Sequence, residues 1–230
     1  MHTKNFWENI KTNAYKSLNP IIFLLRKTGI TPNGITAIGL LITSLATVIL
    51  IVGAELGERG DYRYIAWFGA VTLFAGLFDM LDGSLARATN KMSKFGALFD
   101  SVLDRYSEMI MFFGIAYYLV AQHYFLSSVF AFIAMIGSIM VSYVRARAEG
   151  LGTECKVGMM QRPERVLTIA ITAILYGIIS ANVGEFKIIV DWLPFPFIEN
   201  ISIFTIPIFI MAILTNYTAI QRLYHCYKTM

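Results

Sequence analysis

Asp79-Met-Leu-Asp82-Gly83-Ser-Leu-Ala86-Arg87, then eight residues, then Gly96-Ala-Leu-Phe-Asp100-Ser-Val-Leu-Asp104: this stretch sets four carboxylates and two glycines inside strongly apolar sequence. Spacings of three and four residues put Asp79 with Asp82, and Asp100 with Asp104, on single helical faces about one turn apart. Two such faces can make one site. Buried carboxylates are costly unless cations pair with them. Oxygen donors without His or Cys suit hard ions such as Mg²⁺, Mn²⁺ or Ca²⁺. One divalent ion halves the charge of four ionised Asp and two cancel it, so only a site with two ions would welcome an anionic substrate. Two ions held close together can clamp the attacking and leaving oxygens of an in-line phosphoryl displacement. Gly83 and Gly96 would let a ligand or a second backbone come close. Arg87, one turn beyond Gly83, could hold a phosphate through both arms of its fork.

Hydrophobic residues make up 57% of the 230-residue chain and charged residues 15%. Mean hydropathy is +0.61, outside the balance of a soluble globular domain. An all-α, polytopic membrane protein is predicted, with room for six transmembrane helices of roughly 20 apolar residues each. The expected spans run over 35–52, from 64 into the motif, and over 95–120, 125–143, 166–179 and 201–220, as one six-helix core at 29–230. Ahead of it, residues 1–28 mix Phe6, Trp7, Ile10 and Tyr15 with Lys4, Lys11, Lys16, Arg26 and Lys27, the pattern of an N-terminal amphipathic interfacial helix that Pro20 should bend or interrupt. Thr31-Pro32-Asn33-Gly34-Ile35-Thr36 starts the first span, with Pro near the first turn and Thr and Asn available as caps. Span two ends in Asp79 and Asp82, and span three opens with Asp100 and Asp104. The two half-motifs therefore meet at one membrane face.

The net charge of +4 could suggest nucleic acid, but its placement follows membrane topology. With the N-terminus inside, every Lys and Arg except Arg59, Arg63 and Lys187 falls in or beside inward segments. The positive-inside rule then places both termini and the Asp site on the cytoplasmic side. No nucleic-acid partner is expected. Residues 1–16 are polar and the apolar run 21–25 is too short for the core of a cleavable signal. Cys155 and Cys226 form no spacing motif. Trp192, Pro194 and Pro196 fall in the outer loop before span six, and Asn200-Ile-Ser202 there is read as a chance glycosylation triplet.

A second constellation follows span four: Ser142-Tyr-Val-Arg145-Ala-Arg147-Ala-Glu149, then Gln161-Arg162-Pro-Glu164-Arg165. Snorkelling and membrane anchoring suffice for Arg147 and Lys156. Arg145 shares a face with Ser142, and Arg162 with Arg165, both faces abutting the cytoplasmic end where the carboxylates lie. Arg residues beside a metal site imply a second anion, most simply a phosphorylated acceptor.

The pattern D-x2-D-G-x2-A-R-x8-G-x3-D-x3-D, covering 26 of the 230 residues, resembles the CDP-alcohol phosphotransferase signature at every fixed position. The resemblance implies that Asp79, Asp82, Asp100 and Asp104 bind two divalent cations, Mg²⁺ or Mn²⁺, and that Asp104 takes the acceptor's proton. It implies that Gly83, Arg87, Ser93 and Gly96 hold the CDP-alcohol, with Asn33 and Thr36 matching a P-N-x-x-T segment that contacts it in family members. It also implies a homodimer. S-Y-V-R-A-R-A-E and R-P-E-R look like the branch that transfers to inositol phosphate, the phosphatidylinositol phosphate synthases, although members often carry Lys at the place of Arg145 and Glu at that of Gln161. The expected activity is transfer of the phosphatidyl group of CDP-diacylglycerol onto inositol phosphate with release of CMP, Ser142, Arg145, Arg162 and Arg165 holding the acceptor. Glycerol 3-phosphate is the alternative acceptor; serine carries no phosphate for the Arg cluster. An ion or proton transporter would also place acids in spans, but would not require the Gly83, Ala86, Arg87 and Gly96 pattern.

Overall fold

The computed structural model describes residues 18–189, 196 and 198–230. Within them the chain forms α1 (Asn19–Thr28), α2 (Pro32–Leu56), α3 (Tyr62–Ala88), α4 (Lys94–Ala121), α5 (Phe125–Gly150), α6 (Arg162–Val183), a ribbon of β1 (Lys187–Ile188) and β2 (Ile198–Glu199), and α7 (Ser202–Thr229). The starts are written in cap chemistry. Thr31, Asp61 and Ser93 each accept a bond from a backbone N–H of the following first turn, and Gln161 with Glu164 forms a capping box. Pro32 and Pro163 sit in first turns, where no intrahelical donor is lost. Pro20 does likewise in α1, so among the described residues it starts a helix where the sequence predicts a bend.

Five of the six long helices, all but α4, are long and apolar enough to cross a membrane. The chain is thus an integral, multi-pass membrane protein. The remaining helix, α4, has 28 residues but gathers Asp100, Asp104, Arg105 and Glu108 in the half that carries the motif, which is why hydropathy passes it over. Two helices run furthest past their expected spans: α5 continues to Gly150 and α7 to Thr229. Arg145, Arg147 and Glu149 therefore ride on a helix. Of the interfacial helix expected over 1–28, only α1 falls within the described residues. Ile22 packs with Leu18 on Ile35, Leu81 and Leu85, while Ile21, Phe23 and Leu24 face outward beside Arg26 and Lys27. Trp192 and Pro194 lie outside the described residues.

Each long helix packs on two others, in the closed order α2, α3, α6, α7, α5, α4 and back to α2. The core of this ring is built from Phe68 on α3, Met111 and Ile115 on α4, Ala134 on α5, Ile169 on α6 and Phe204 and Met211 on α7. The α3 and α6 backbones approach most closely at glycine. A Cβ on Gly69 would stand 2.7 Å from the Ala173 methyl, and one on Gly177 would collide with that of Ala66. Without a hydrophobic drive between helices in lipid, such small-residue contact supplies the packing. Continued toward the end of α3, this antiparallel register brings Asp79 opposite the start of α6.

Asn200 at the opposite end accepts from Phe186 N and donates to Ser180 Oγ and Gly184 O. That fastens the loop before α7 and leaves the triplet a structural task.

Candidate active site

Four helix ends build the site, three of them fixed by their caps. At the start of α2, the Thr31 cap (Gly34 N to Oγ1, 3.2 Å) orients Asn33 and Thr36. Thr36 Oγ1 donates to Asp82 Oδ2 at 2.8 Å. Asp82, Gly83 and Arg87 come from the last turns of α3, and Arg87 Nη2 lies 3.3 Å from Ser84 Oγ. At the start of α4, Ser93 Oγ accepts from Gly96 N at 2.9 Å, and Asp100 and Asp104 follow. Asn33, Thr36, Gly83, Arg87, Ser93 and Gly96, the six residues expected on the CDP-alcohol, line one cavity of about 240 Å³ together with Asp82 and Asp100. A Cβ on Gly96 would sit 3.1 Å from Ser93 Oγ and 3.3 Å from Asn33 Oδ1, whereas one on Gly83 would meet only Arg87 Nη1, at 3.6 Å. Only at Gly83 is there room for the missing side chain.

Asp79 and Asp104 face the fourth helix end. Arg162, in the first turn of α6, puts Nη1 2.5 Å from Asp79 Oδ2 and Nη2 3.0 Å from Asp104 Oδ1. Its Nε is buried and has no partner among the described residues. Asp104 Oδ2 lies 4.0 Å from Arg105 Nη1. Asp79 and Asp100 each lie close enough to repel the other three carboxylates. Among the described residues no three acidic, His or Cys side chains are drawn into a ready-made cation cage, because Arg162 stands between Asp79 and Asp104. The donor set still fits hard divalent ions: it is all oxygen, carries more negative charge than Arg162 neutralises, and has Asp82 anchored from behind by Thr36.

The segment leading into Arg162 is clamped to its neighbours through its carbonyls. Arg222 on α7 donates to Val157 O at 2.8 Å and to Val141 O of α5 at 2.6 Å, and Thr218 donates to Met159 O at 2.9 Å. Gly158, at φ 101°, allows this path and lies against the Thr218 methyl. Cys155 and Cys226 are buried beside this clamp as free thiols.

The charged acceptor residues expected from sequence each have a carboxylate partner. Arg145 pairs with Glu149 on its own helix at 2.8 Å, and Ser142 is half-buried on α5. The Arg165 side chain is 1% exposed and forks onto Glu108, Nε to Oε1 at 2.6 Å and Nη2 to Oε2 at 2.9 Å, with Nη1 on Met160 O at 2.6 Å. It points into the ring, with no nitrogen left facing an acceptor. Sequence reasoning missed Glu108. Its signal was present, since an acid one turn beyond Asp104 in a membrane helix must have a partner.

A family model described as CDP-alcohol phosphatidyltransferase matches residues 29–198. The chain is 36% identical over 190 residues, 81% of its length and 90% of the relative's, to an archaetidylinositol phosphate synthase of Pyrococcus horikoshii. It is also 36% identical over 164 residues, 70% of each chain, to a phosphatidylinositol phosphate synthase of Mycobacteroides abscessus. The crystal structure of the phosphatidylinositol phosphate synthase of Mycobacterium tuberculosis with CDP-DAG bound superposes with a TM-score of 0.70 at 26% identity, covering 90% of this chain and 92% of that one. The same enzyme with manganese and citrate gives 0.69 at 24% identity, over 90% and 88%.

Proposed function

The chain belongs to the CDP-alcohol phosphatidyltransferase family, and from that premise we propose that it transfers the phosphatidyl group of CDP-diacylglycerol to inositol phosphate, forming phosphatidylinositol phosphate and CMP. The observation that carries the reading is the single cavity that unites the six motif residues with Asp82 and Asp100, flanked by Asp79, Asp104 and Arg162. The names of the relatives support the acceptor.

Divalent cation use goes with the family and the manganese-bound relative. Asp79, Asp82, Asp100 and Asp104 would hold two ions, Mg²⁺ or Mn²⁺, which supply positive charge opposite the pyrophosphate and polarise it. Gly83, Arg87, Ser93, Gly96, Asn33 and Thr36 hold the CDP group in the cavity. Arg162 takes the phosphate of the acceptor, and Ser142 and Arg145 border the approach. Asp104 removes the proton from the acceptor hydroxyl: Oδ1 is engaged by Arg162, and Oδ2 is the oxygen that accepts it. The acceptor oxygen bonds to the phosphorus that bears the lipid, the bond from that phosphorus to the bridging oxygen breaks, and CMP departs with the electron pair. The proton stays on Asp104 until water removes it.

The site and both termini face the cytoplasm in this reading, α4 crosses the membrane as a sixth span with Asp104 and Glu108 paired, and residues 29–230 form a single domain. Two copies form the homodimer that the family resemblance implies. Purified protein supplied with labelled CDP-diacylglycerol and a panel of inositol phosphate, free inositol, glycerol 3-phosphate and serine tests the reading. CMP release with inositol phosphate supports it, and release only with another acceptor reassigns the reaction. No release with any acceptor sinks it.

A further inference from the structure

In the ring, α4 and α6 are not neighbours, so ridge-into-groove packing does not set their relative height. Two ion pairs, one turn apart on both helices, connect them across the interior. The upper joins Arg162 to Asp104 at 3.0 Å. The lower joins Arg165 to Glu108 through both carboxylate oxygens. Glu108 lies one turn beyond Asp104, and Arg165 one turn beyond Arg162. The two pairs differ in wetness: the upper side chains are each 17% exposed, the lower 1% and 2%. Arg165 also holds Met160 O, the carbonyl two residues before Arg162, so one guanidinium fixes both the helix and the segment that feeds it. To reach an acceptor it would have to abandon a buried carboxylate, which is far costlier than a buried pair left intact.

We propose that Glu108 and Arg165 are positioning residues of the transferase: a dry, forked pair that spans the ring and sets the height of α6 on α4, so that Arg162 stands between Asp79 and Asp104 and meets the acceptor's phosphate. The assignment rests on the function proposed above and gives Arg165 a role at one remove from the substrate. The fork matters. Two parallel N–H donors fix an angle as well as a distance, and an ammonium fixes neither.

The test measures KM for inositol phosphate and for CDP-diacylglycerol in wild type, Arg162→Ala, the pair Glu108→Leu with Arg165→Met, and all three substitutions together. Removing both buried charges at once tends to preserve a fold that removing one would break. The expected result for the pair is an acceptor KM raised about tenfold, with the donor KM within about twofold of wild type. Added to Arg162→Ala, the pair should raise the acceptor KM no further, because it acts through Arg162. A structural role alone would lower thermal stability and active fraction without this split between substrates. An acceptor KM at the wild-type value in the pair overturns the proposal. So does a further tenfold rise on the Arg162→Ala background, the mark of Arg165 binding the acceptor itself. Should the pair not fold, Arg165→Lys keeps the charge in place but cannot span both Glu108 oxygens and Met160 O; an acceptor KM raised roughly threefold or more is expected, and an unchanged one overturns the proposal. Wild type separates the two levels of the argument. Without CMP release from wild type, the transferase reading falls and takes the positioning role with it, whereas wild-type turnover beside pair variants of wild-type KM removes the positioning role alone.

Discussion

In the proposed reaction the chemistry turns on the contact between Asp104 and Arg162, the carboxylate assigned to take the proton being held by the cation assigned to meet the acceptor. Asp104→Asn should retain binding of the CDP-lipid, because three carboxylates remain, and lose about 10²- to 10⁴-fold in kcat, because an amide cannot accept the proton. Binding measured by isothermal titration beside turnover checks both halves; near-normal kcat removes Asp104 from the role of base. Gly83→Ala is a sharper probe of the cavity. Its methyl meets only Arg87 Nη1, at 3.6 Å, so the fold should be untouched while KM for CDP-diacylglycerol rises, and an unchanged KM would move the CDP group elsewhere. The four Asp, the glycines and Arg87 stand out in the sequence because their spacing is a chemical specification, and the structure brings Asp82, Asp100, Gly83, Gly96 and Arg87 to one cavity. The partner of Arg165 was not legible for a physical reason: periodicity puts Arg162 and Arg165 on one face, but it does not say that Glu108 comes up against the lower one.

Among the elements, the start of α2 was read from Thr31 and Pro32, and those of α3, α4 and α6 carry the same local signal in Asp61, Ser93 and Pro163. The ends of α5 and α7 could not, because the polar residues that look like loop, Arg145 to Glu149 and Gln221 to Lys228, continue the helices beyond the apolar run. The clamp of Arg222 and Thr218 on residues 157–159 is tertiary throughout and leaves no periodic trace. Helix contact offers a matched pair of tests. Gly177→Ala puts a methyl into Ala66 and should push α3 from α6, lowering thermal stability by about 1 to 3 kcal/mol and reducing turnover, because Asp79 and Arg162 sit on the separated helices. Gly76→Ala on the same α3 meets nothing within 4 Å and should be neutral, or stabilise by up to about 1 kcal/mol through helix propensity. Thermal unfolding in detergent reads both, and equal effects at the two positions would refute the close-packed interface.

For the whole molecule, hydropathy finds five of the six long helices and the motif marks α4, but the ring order is in neither: a sequence of spans is silent on which helices touch. The ring explains how the site survives in an apolar chain. The site's carboxylates gather at one end, three of the four helix ends there carry capping side chains, and Arg162 balances part of their charge. That balance is incomplete without divalent ions, so chelation should abolish turnover, and Mg²⁺ or Mn²⁺ should restore it. Ca²⁺, with its looser and larger shell, should inhibit. The most direct measurement is release of CMP from labelled CDP-diacylglycerol by the purified protein with Mg²⁺, inositol phosphate being compared with free inositol at equal concentration. The expected result is rapid release with inositol phosphate and at most slow release with inositol, whose lack of a phosphate leaves Arg162 without its ligand. Equal release with the two acceptors, or release that survives exhaustive chelation, would contradict the account.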